Sequence, residues 1–455
     1  MKIDGFVLDD NNPEFNYAVE LVKKKTPMIY LTGKAGSGKT TFLKYIRTIL
    51  DINMVVLAPT GVSAINAGGQ TIHSFFRIAP SLYLPDDKRL RFKAEPNDED
   101  QSTITDNFKF RKRHRKLISE MELLVIDEVS MVRCDLLDVV DRILRAYRDK
   151  NSVFGGVQVL LIGDVFQLPP IARGNQWEIL SNYYETPFFF SSKVFTERRP
   201  EYVELRKIYR QKDDKFIDLL NKVRTNYLND EDMELLNSRF RPEIVKNPNL
   251  NYVIVATHND IVDATNMRKL DELDSKLVVY EAEINGDFPD SMHPTDKFLN
   301  LKVGSQIMFV KNDSDKKYFN GKIGIIKELN EDFLIVNDEK GEDIEVHRFS
   351  WTNINYVWND EKKRIEENIL GEFTQFPVKL AWSVTVHKCQ GLTFDKIIAD
   401  IGRSFTAGQV YVALSRCRTF EGLVLKTKIK RSAIKTDPEV LKFTESKFKN
   451  EGELF

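Results

Sequence analysis

The sequence predicts an α/β fold of two units, each a parallel sheet flanked by helices, with two insertions. Three observations carry this. Short β-branched, apolar runs alternate with helical stretches through the first ~190 residues. A second α/β series begins near Arg199. Its halves are separated by closely spaced short runs with glycine turns, a different texture altogether.

In the first unit, Met28–Thr32, Met54–Ala58, Glu122–Ile126 and Val157–Ile162 read as buried strands, each running into a polar segment. That is how a parallel sheet gathers its loops at the carboxyl ends of its strands. Asp135 to Arg148 carries Leu136, Leu137, Val140, Ile143, Leu144 and Tyr147 at helical spacing. Residues 77–116, rich in Pro, Asp and Lys, break the series and are expected to form an inserted, partly mobile subdomain. In the second unit, Tyr252–Thr257, Val378–Val384, Lys396–Asp400 and Leu423–Lys426 are expected strands. Helices are expected from Asn259 and over Ala407–Ser415. Between them, Ser305–Lys311, Lys322–Glu328, Phe333–Val336 and Asp343–His347, with turns at Asn320-Gly321 and Lys340-Gly341, predict a small antiparallel barrel. The expected boundaries are 1–198 for the first unit, 199–297 with 359–455 for the second, and 298–358 for the barrel.

Composition narrows the function. The 455 residues are 42% hydrophobic and 30% charged, as in globular chains. No apolar run approaches the ~18–20 residues of a membrane span. The N-terminus lacks a signal peptide's apolar segment and, with Asp9 and Asp10, is too acidic for a transit peptide, so a cytoplasmic place is expected, nucleoid-associated in a bacterium. Cys134, Cys389 and Cys417 lie far apart and are expected to be free thiols. The net charge of −1 gives no sign of nucleic-acid binding, yet Lys109 to Lys116 reads KFRKRHRK, and an acidic stretch from Glu95 to Asp106 offsets it.

Gly33 to Thr40, GKAGSGKT, matches the phosphate-binding loop G-x-x-x-x-G-K-[ST] after an apolar strand and before a helix. Gly33, Ala35, Gly36, Ser37, Gly38, Lys39, Thr40 and Thr41 are therefore expected to bind ATP. Backbone N–H groups would wrap the phosphates, Lys39 would reach the β- and γ-phosphates, and the Thr40 hydroxyl would coordinate Mg²⁺. Asp127 and Glu128 follow a buried strand. Asp127 suits the Mg²⁺ shell and Glu128 suits the general base that activates water, which points to a hydrolase rather than a kinase.

Further along come Asp127-Glu-Val-Ser-Met131, Gly163-Asp-Val-Phe-Gln-Leu-Pro-Pro170, Ser383-Val-Thr-Val-His-Lys-Cys-Gln-Gly391 and Tyr411-Val-Ala-Leu-Ser-Arg416. With Leu57-Ala-Pro-Thr-Gly61 and Thr71-Ile-His-Ser-Phe75, this ordered set resembles the superfamily 1 class B DNA helicases, and within them the PIF (petite integration frequency) family, relatives of the RecD recombination helicase. The motifs run from Gly33 to about Gly422. The resemblance implies two RecA-like P-loop domains, a wedge in the first and an SH3-like barrel in the second. It implies an ATP-dependent 5′-to-3′ helicase with single-stranded DNA and single-strand/duplex junctions as partners, no membrane, and a monomeric ATPase core. It also implies roles. Gln167 would sense the γ-phosphate, Arg210 and Arg416 would be arginine fingers from the second domain, and Gly391 would line the nucleotide. Thr60, Gly61, His73, Thr385, His387 and Lys388 would line the DNA path. PEFNYAVELV, from Pro13 to Val22, lacks the family's adenine-recognising glutamine, so either Asn16 substitutes or adenine is held otherwise. Two rival readings remain, a nucleotide-gated binding protein and a P-loop kinase or transport ATPase. Stimulation of hydrolysis by single-stranded DNA discriminates all three.

Overall fold

The computed structural model describes residues 12–451 apart from 97, 173, 212, 247–251, 314, 403 and 405, together with a short antiparallel pair, Lys2–Ile3 and Phe6–Val7. The first sheet has six parallel strands in the spatial order Gln70–Thr71, Met54–Ala58, Leu123–Ile126, Gln158–Ile162, Met28–Gly33 and Glu201–Leu205. Both faces are covered, which is why these strands read as unbroken apolar runs. Ile29 and Leu31 pack with Phe42 and Ile46 on one face, while Met28 and Tyr30 join the larger core on the other.

The last of these strands corrects a boundary. Glu201–Leu205 pairs with Met28–Gly33, so the first unit runs past the expected limit at 198. This edge strand carries charged Glu201 and Glu204, so it lacks the unbroken apolar run that marks the other strands of the sheet.

The second sheet has four parallel strands in the order Ser383–Thr385, Val253–Ala256, Ile397–Asp400 and Leu423–Leu425. The expected strand Val378–Val384 is two strands. Val378–Leu380 pairs antiparallel with Gln306–Phe309, and only Ser383–Thr385 enters the parallel sheet. Periodicity cannot reveal that one apolar run changes partners midway.

The insertion is larger than 298–358. Asp343–His347, Phe333–Asp338, Ile323–Leu329, Gln306–Phe309 and Val378–Leu380 form a five-stranded antiparallel sheet around Ile307, Phe309, Leu334, Val336 and Val346. A long hairpin, Phe349–Asn359 with Arg364–Gln375, carries the insertion through residues expected in the second unit. Its second strand is exposed along much of its length, so it lacks the alternation that would announce it. The hairpin rests on the first unit. Val56 N–H donates to the Tyr356 hydroxyl at 3.2 Å, and Arg47 pairs with Glu367 at 2.7 Å.

The described residues of 77–116 send six large side chains into the core. Ile78, Tyr83, Leu90, Ile104, Phe108 and Phe110 are buried in the main core with helix Cys134–Tyr147. Among the described residues no helix is long and apolar enough to cross a membrane.

Candidate nucleotide site and nucleic-acid path

Strand Met28–Gly33 delivers the phosphate loop. Gly36 and Gly38 have φ of 82° and 96°, left-handed values that glycine adopts freely. A Cβ on Gly36 would sit 2.4 Å from the Cβ of Arg210, so a side chain there would collide with the far wall of the cleft. Gly38 caps helix Lys39–Ile49 without a side chain, leaving the first N–H groups of that helix for an anion. The Ser37 hydroxyl is buried with no partner. Lys39 Nζ donates to Gly33 O at 2.6 Å and Lys34 O at 3.2 Å. Burial lowers its pKa, while Asp164 and Glu128 oppose that. An orphan hydroxyl, an uncapped helix and a lysine turned onto carbonyls fit a phosphate chain. Thr40 is exposed on the first turn and Thr41 half-buried beside it.

Strand Leu123–Ile126 delivers Asp127 and Glu128. Glu128 has φ 51°, a conformation that costs a non-glycine residue energy and that active sites commonly hold. Its N–H donates to Asp127 Oδ1 at 2.9 Å. Burial and then the Asp127 charge lift the Glu128 carboxyl to about 7, against Lys39 and Arg416. Burial also raises Asp127, opposed by the Glu128 N–H and Lys39. Strand Gln158–Ile162 leads to Asp164, fully buried and paired with Arg224 at 3.0 Å. The Arg224 guanidinium lies 4.0 Å from the Phe166 ring centroid. Gln167 follows, buried, its N–H donating to Asp164 O at 2.9 Å.

The second unit closes the cleft. A Cβ on Gly408 would lie 2.3 Å from Gln167 O, so the start of helix Gln409–Leu414 abuts the Gln167 loop. Ala35 N–H donates to the Tyr411 hydroxyl at 3.1 Å, joining the phosphate loop to that helix. Gln390 Nε2 donates to Glu128 Oε2 at 3.0 Å and Gln167 Oε1 at 3.2 Å.

Arg210 follows the last strand of the first sheet and is fastened to the second unit, donating to Gly391 O at 3.1 Å and Ser415 O at 3.3 Å. Burial and the nearby Arg416 push its pKa down to about 9. Arg416 is on the second unit and fully enclosed. It donates to Val412 O and to the Ser415 hydroxyl, both at 2.9 Å. Burial lowers its pKa. Gly391 is exposed, with open space where a Cβ would be.

The strand-lining candidates divide. Thr60 is exposed at the carboxyl end of Met54–Ala58 and caps helix Gly61–Ala67, accepting from Ser63 N at 3.2 Å. A Cβ on Gly61 would meet Met292 Cγ at 2.7 Å, so this end touches the insertion. His73 Nδ1 lies 3.0 Å from Ile78 O. His387 and Lys388 are exposed after Ser383–Thr385. Thr385 is 2% exposed and its hydroxyl accepts from Lys388 N at 3.2 Å, so it shapes the turn instead of facing outward.

Sequence reasoning missed Gln390, Asp164, Tyr209, Tyr411 and Arg224. Gln390, Asp164 and Tyr411 lay within the quoted motifs, and Tyr209 stands beside Arg210. Arg224, on helix Asp214–Thr225, carries no signal, since its partner is 60 residues away. Tyr209 N–H donates to Gly36 O at 2.9 Å, and Asn12 Nδ2 donates to the Tyr209 hydroxyl at 3.1 Å.

The PIF1-like helicase family model matches residues 9–234. The crystal structure of Bacteroides sp Pif1 in complex with ADP-AlF4 is 39% identical, with 98% of each chain covered and a TM-score of 0.88. This chain belongs to the PIF1-like helicase family. Bacteroides Pif1 bound to ssDNA matches at the same identity and coverage with a TM-score of 0.66, so this PIF1-like chain is arranged more like the first. The ATP-dependent DNA helicase PIF1 of Homo sapiens is 33% identical over 427 residues, 92% of this chain and 61% of that protein. The chain thus spans less than two thirds of that relative.

Proposed function

We propose that this PIF1-like protein is an ATP-hydrolysing DNA helicase that moves 5′-to-3′ on single-stranded DNA and unwinds duplexes. One observation carries the reading: loops of both sheets meet on Glu128, through Gln390, and on the phosphate loop, through Tyr411. Residues Gly33 to Thr41 would hold the phosphates. Mg²⁺ would be held by Thr40, exposed on the first turn of its helix, and by Asp127, together with the nucleotide, since hydroxyl, carboxylate and phosphate oxygens suit a hard cation. The ion would supply charge neutralisation at the phosphates. Glu128 takes the proton of the attacking water. Gln167, Arg210 and Arg416 meet the γ-phosphate from the other walls, Arg416 after turning out of its carbonyl nest. Tyr209, against Gly38, and Asn12 support adenine in place of the missing glutamine.

Thr60, Gly61, His73, His387 and Lys388 touch the DNA backbone without reading bases. The five-stranded insertion serves as an SH3-like barrel over the strand, and residues 77–116 as the wedge at the junction. Forks, RNA–DNA hybrids and G-quadruplexes are the substrates this reading covers, in repair, recombination, replication and telomere maintenance. The ATPase core acts as a monomer, in the cytoplasm or at a nucleoid.

The test is strand displacement on a forked duplex with a 5′ single-stranded tail. ATP should release the strand, and Lys39→Ala should abolish release while DNA binding without nucleotide persists. Binding without displacement would favour the nucleotide-gated binder.

A further inference from the structure

We propose that Gln390 is a positioning residue whose side-chain amide holds the Glu128 carboxylate and the Gln167 amide in one orientation, tying both to the loop bearing His387 and Lys388. This rests on reading Glu128 as the general base and goes beyond it by naming what couples that base to the DNA-facing loop.

The geometry is specific. A primary amide has two N–H donors, and here one nitrogen has two acceptors, Glu128 Oε2 and Gln167 Oε1. Inverting the amide would set its oxygen against an ionised carboxylate, so the donor orientation is the one that an ionised Glu128 selects. With its Oε1 committed to Gln390, Gln167 turns its own Nε2 toward Asp164 Oδ2, 3.5 Å away. Asp164 is in turn paired with Arg224. The chain Glu128, Gln390, Gln167, Asp164, Arg224 therefore crosses between the units three times, since Arg224 lies on helix Asp214–Thr225, which packs on the second unit.

The main chain ties this amide to the strand-contacting loop. Gln390 N–H donates to His387 O at 3.3 Å, and Cys389 N–H to Thr385 O at 3.0 Å. Lys388 N–H is fixed on the Thr385 hydroxyl. Residues 385–390 are one compact turn, and a phosphate moving His387 or Lys388 moves Gln390. Four other charges bear on Glu128, namely Asp127 beside it, Lys39 from the phosphate-loop helix, Asp164 from the next strand end and Arg416 from the second unit. Asp127 and Asp164 favour its protonation, and Lys39 and Arg416 oppose it. Gln390 supplies the neutral donor contact that fixes where the carboxylate points.

Gln390→Leu removes both donors at similar length, and Gln390→Glu replaces the amide with a second carboxylate. For each, kcat and KM for ATP are measured on saturating single-stranded DNA. Binding of a fluorescent ATP analogue and the thermal midpoint serve as checks on folding. In Gln390→Leu we expect kcat to fall roughly tenfold or more with KM changed by less than about threefold. In Gln390→Glu, which sets a second carboxylate against Glu128 Oε2 and Gln167 Oε1, kcat should fall at least as far with KM similarly held. An unchanged kcat in either folded variant, or a loss that falls on KM instead of kcat, overturns the assignment. If Gln390→Leu fails to fold, the kcat-against-KM split of Gln390→Glu alone decides. A parent protein without DNA-stimulated hydrolysis would overturn the reading of the site itself, a result distinct from an active parent with silent variants.

Discussion

At Glu128, burial and the Asp127 carboxylate act in the same direction, and the carboxyl titrates near 7 instead of its ordinary 4.5. Such a base is half-ionised where it works, with enough basicity to take a proton from water. The cost falls on stability. A carboxyl raised in the folded state binds protons more tightly there than in the unfolded chain, so its stabilising contribution is complete below about pH 4.5 and is lost as pH rises through 7. Glu128→Gln should therefore bind ATP and nearly stop hydrolysing it. It should also unfold at a higher temperature than the parent at pH 8, an advantage that disappears by about pH 4.5. Thermal unfolding across pH checks this, and an equal difference at both ends would contradict it. The motif spacing made Asp127, Glu128, Lys39 and Thr40 legible, because their chemistry is local to a strand end. It left Gln390 out, because its partners come from the other sheet.

The helix Lys112–Glu120 shows the same limit at the scale of an element. The basic run was visible, but its neighbours were not. His114 stacks on Phe110 with ring centroids 4.7 Å apart, and burial with the Arg77 charge pushes its pKa down to about 4. It is therefore a neutral anchor rather than part of the cationic surface. Lys116 lies over Trp358 of the long hairpin and pairs with Glu120 at 2.6 Å. Asp98 of the acidic stretch is engaged elsewhere, pairing with Lys88 at 2.9 Å and with Arg91 at 2.6 Å, while Asp106 sits near Lys109 at the start of the run. Arg111, Lys112, Arg113 and Arg115 are exposed and outside those pairs. Replacing these four with Ala should lower the salt slope of forked-DNA binding by roughly 0.7–0.9 for each DNA phosphate that the helix no longer neutralises. Unwinding should fall more than ATPase on a short single strand, and the thermal midpoint should hold. An unchanged slope would refute contact with the fork. Other elements were misassigned for a related reason. Glu201–Leu205 and Val378–Leu380 have the composition of strands, and pairing alone decides which sheet takes them.

Over the whole molecule, two parallel sheets present their strand ends to one cleft, and each half is incomplete alone. The phosphate loop and Glu128 belong to the first sheet, Arg416 and Gln390 to the second, and Arg210 to the connector that joins them. Two α/β units with two insertions were readable from alternating patterns. The docking of the hairpin on Arg47 and Val56 was not, because it depends on residues roughly 300 positions apart in the chain. If the cleft is the engine, a strand held by His387, Lys388 and Thr60 must set the rate at which Glu128 acts. The most direct measurement is ATP hydrolysis with and without saturating single-stranded DNA, with Lys39→Ala as the blank. DNA should raise the rate by roughly tenfold or more, and the blank should stay flat in both conditions. A rate indifferent to DNA, in a parent that hydrolyses ATP, would contradict it.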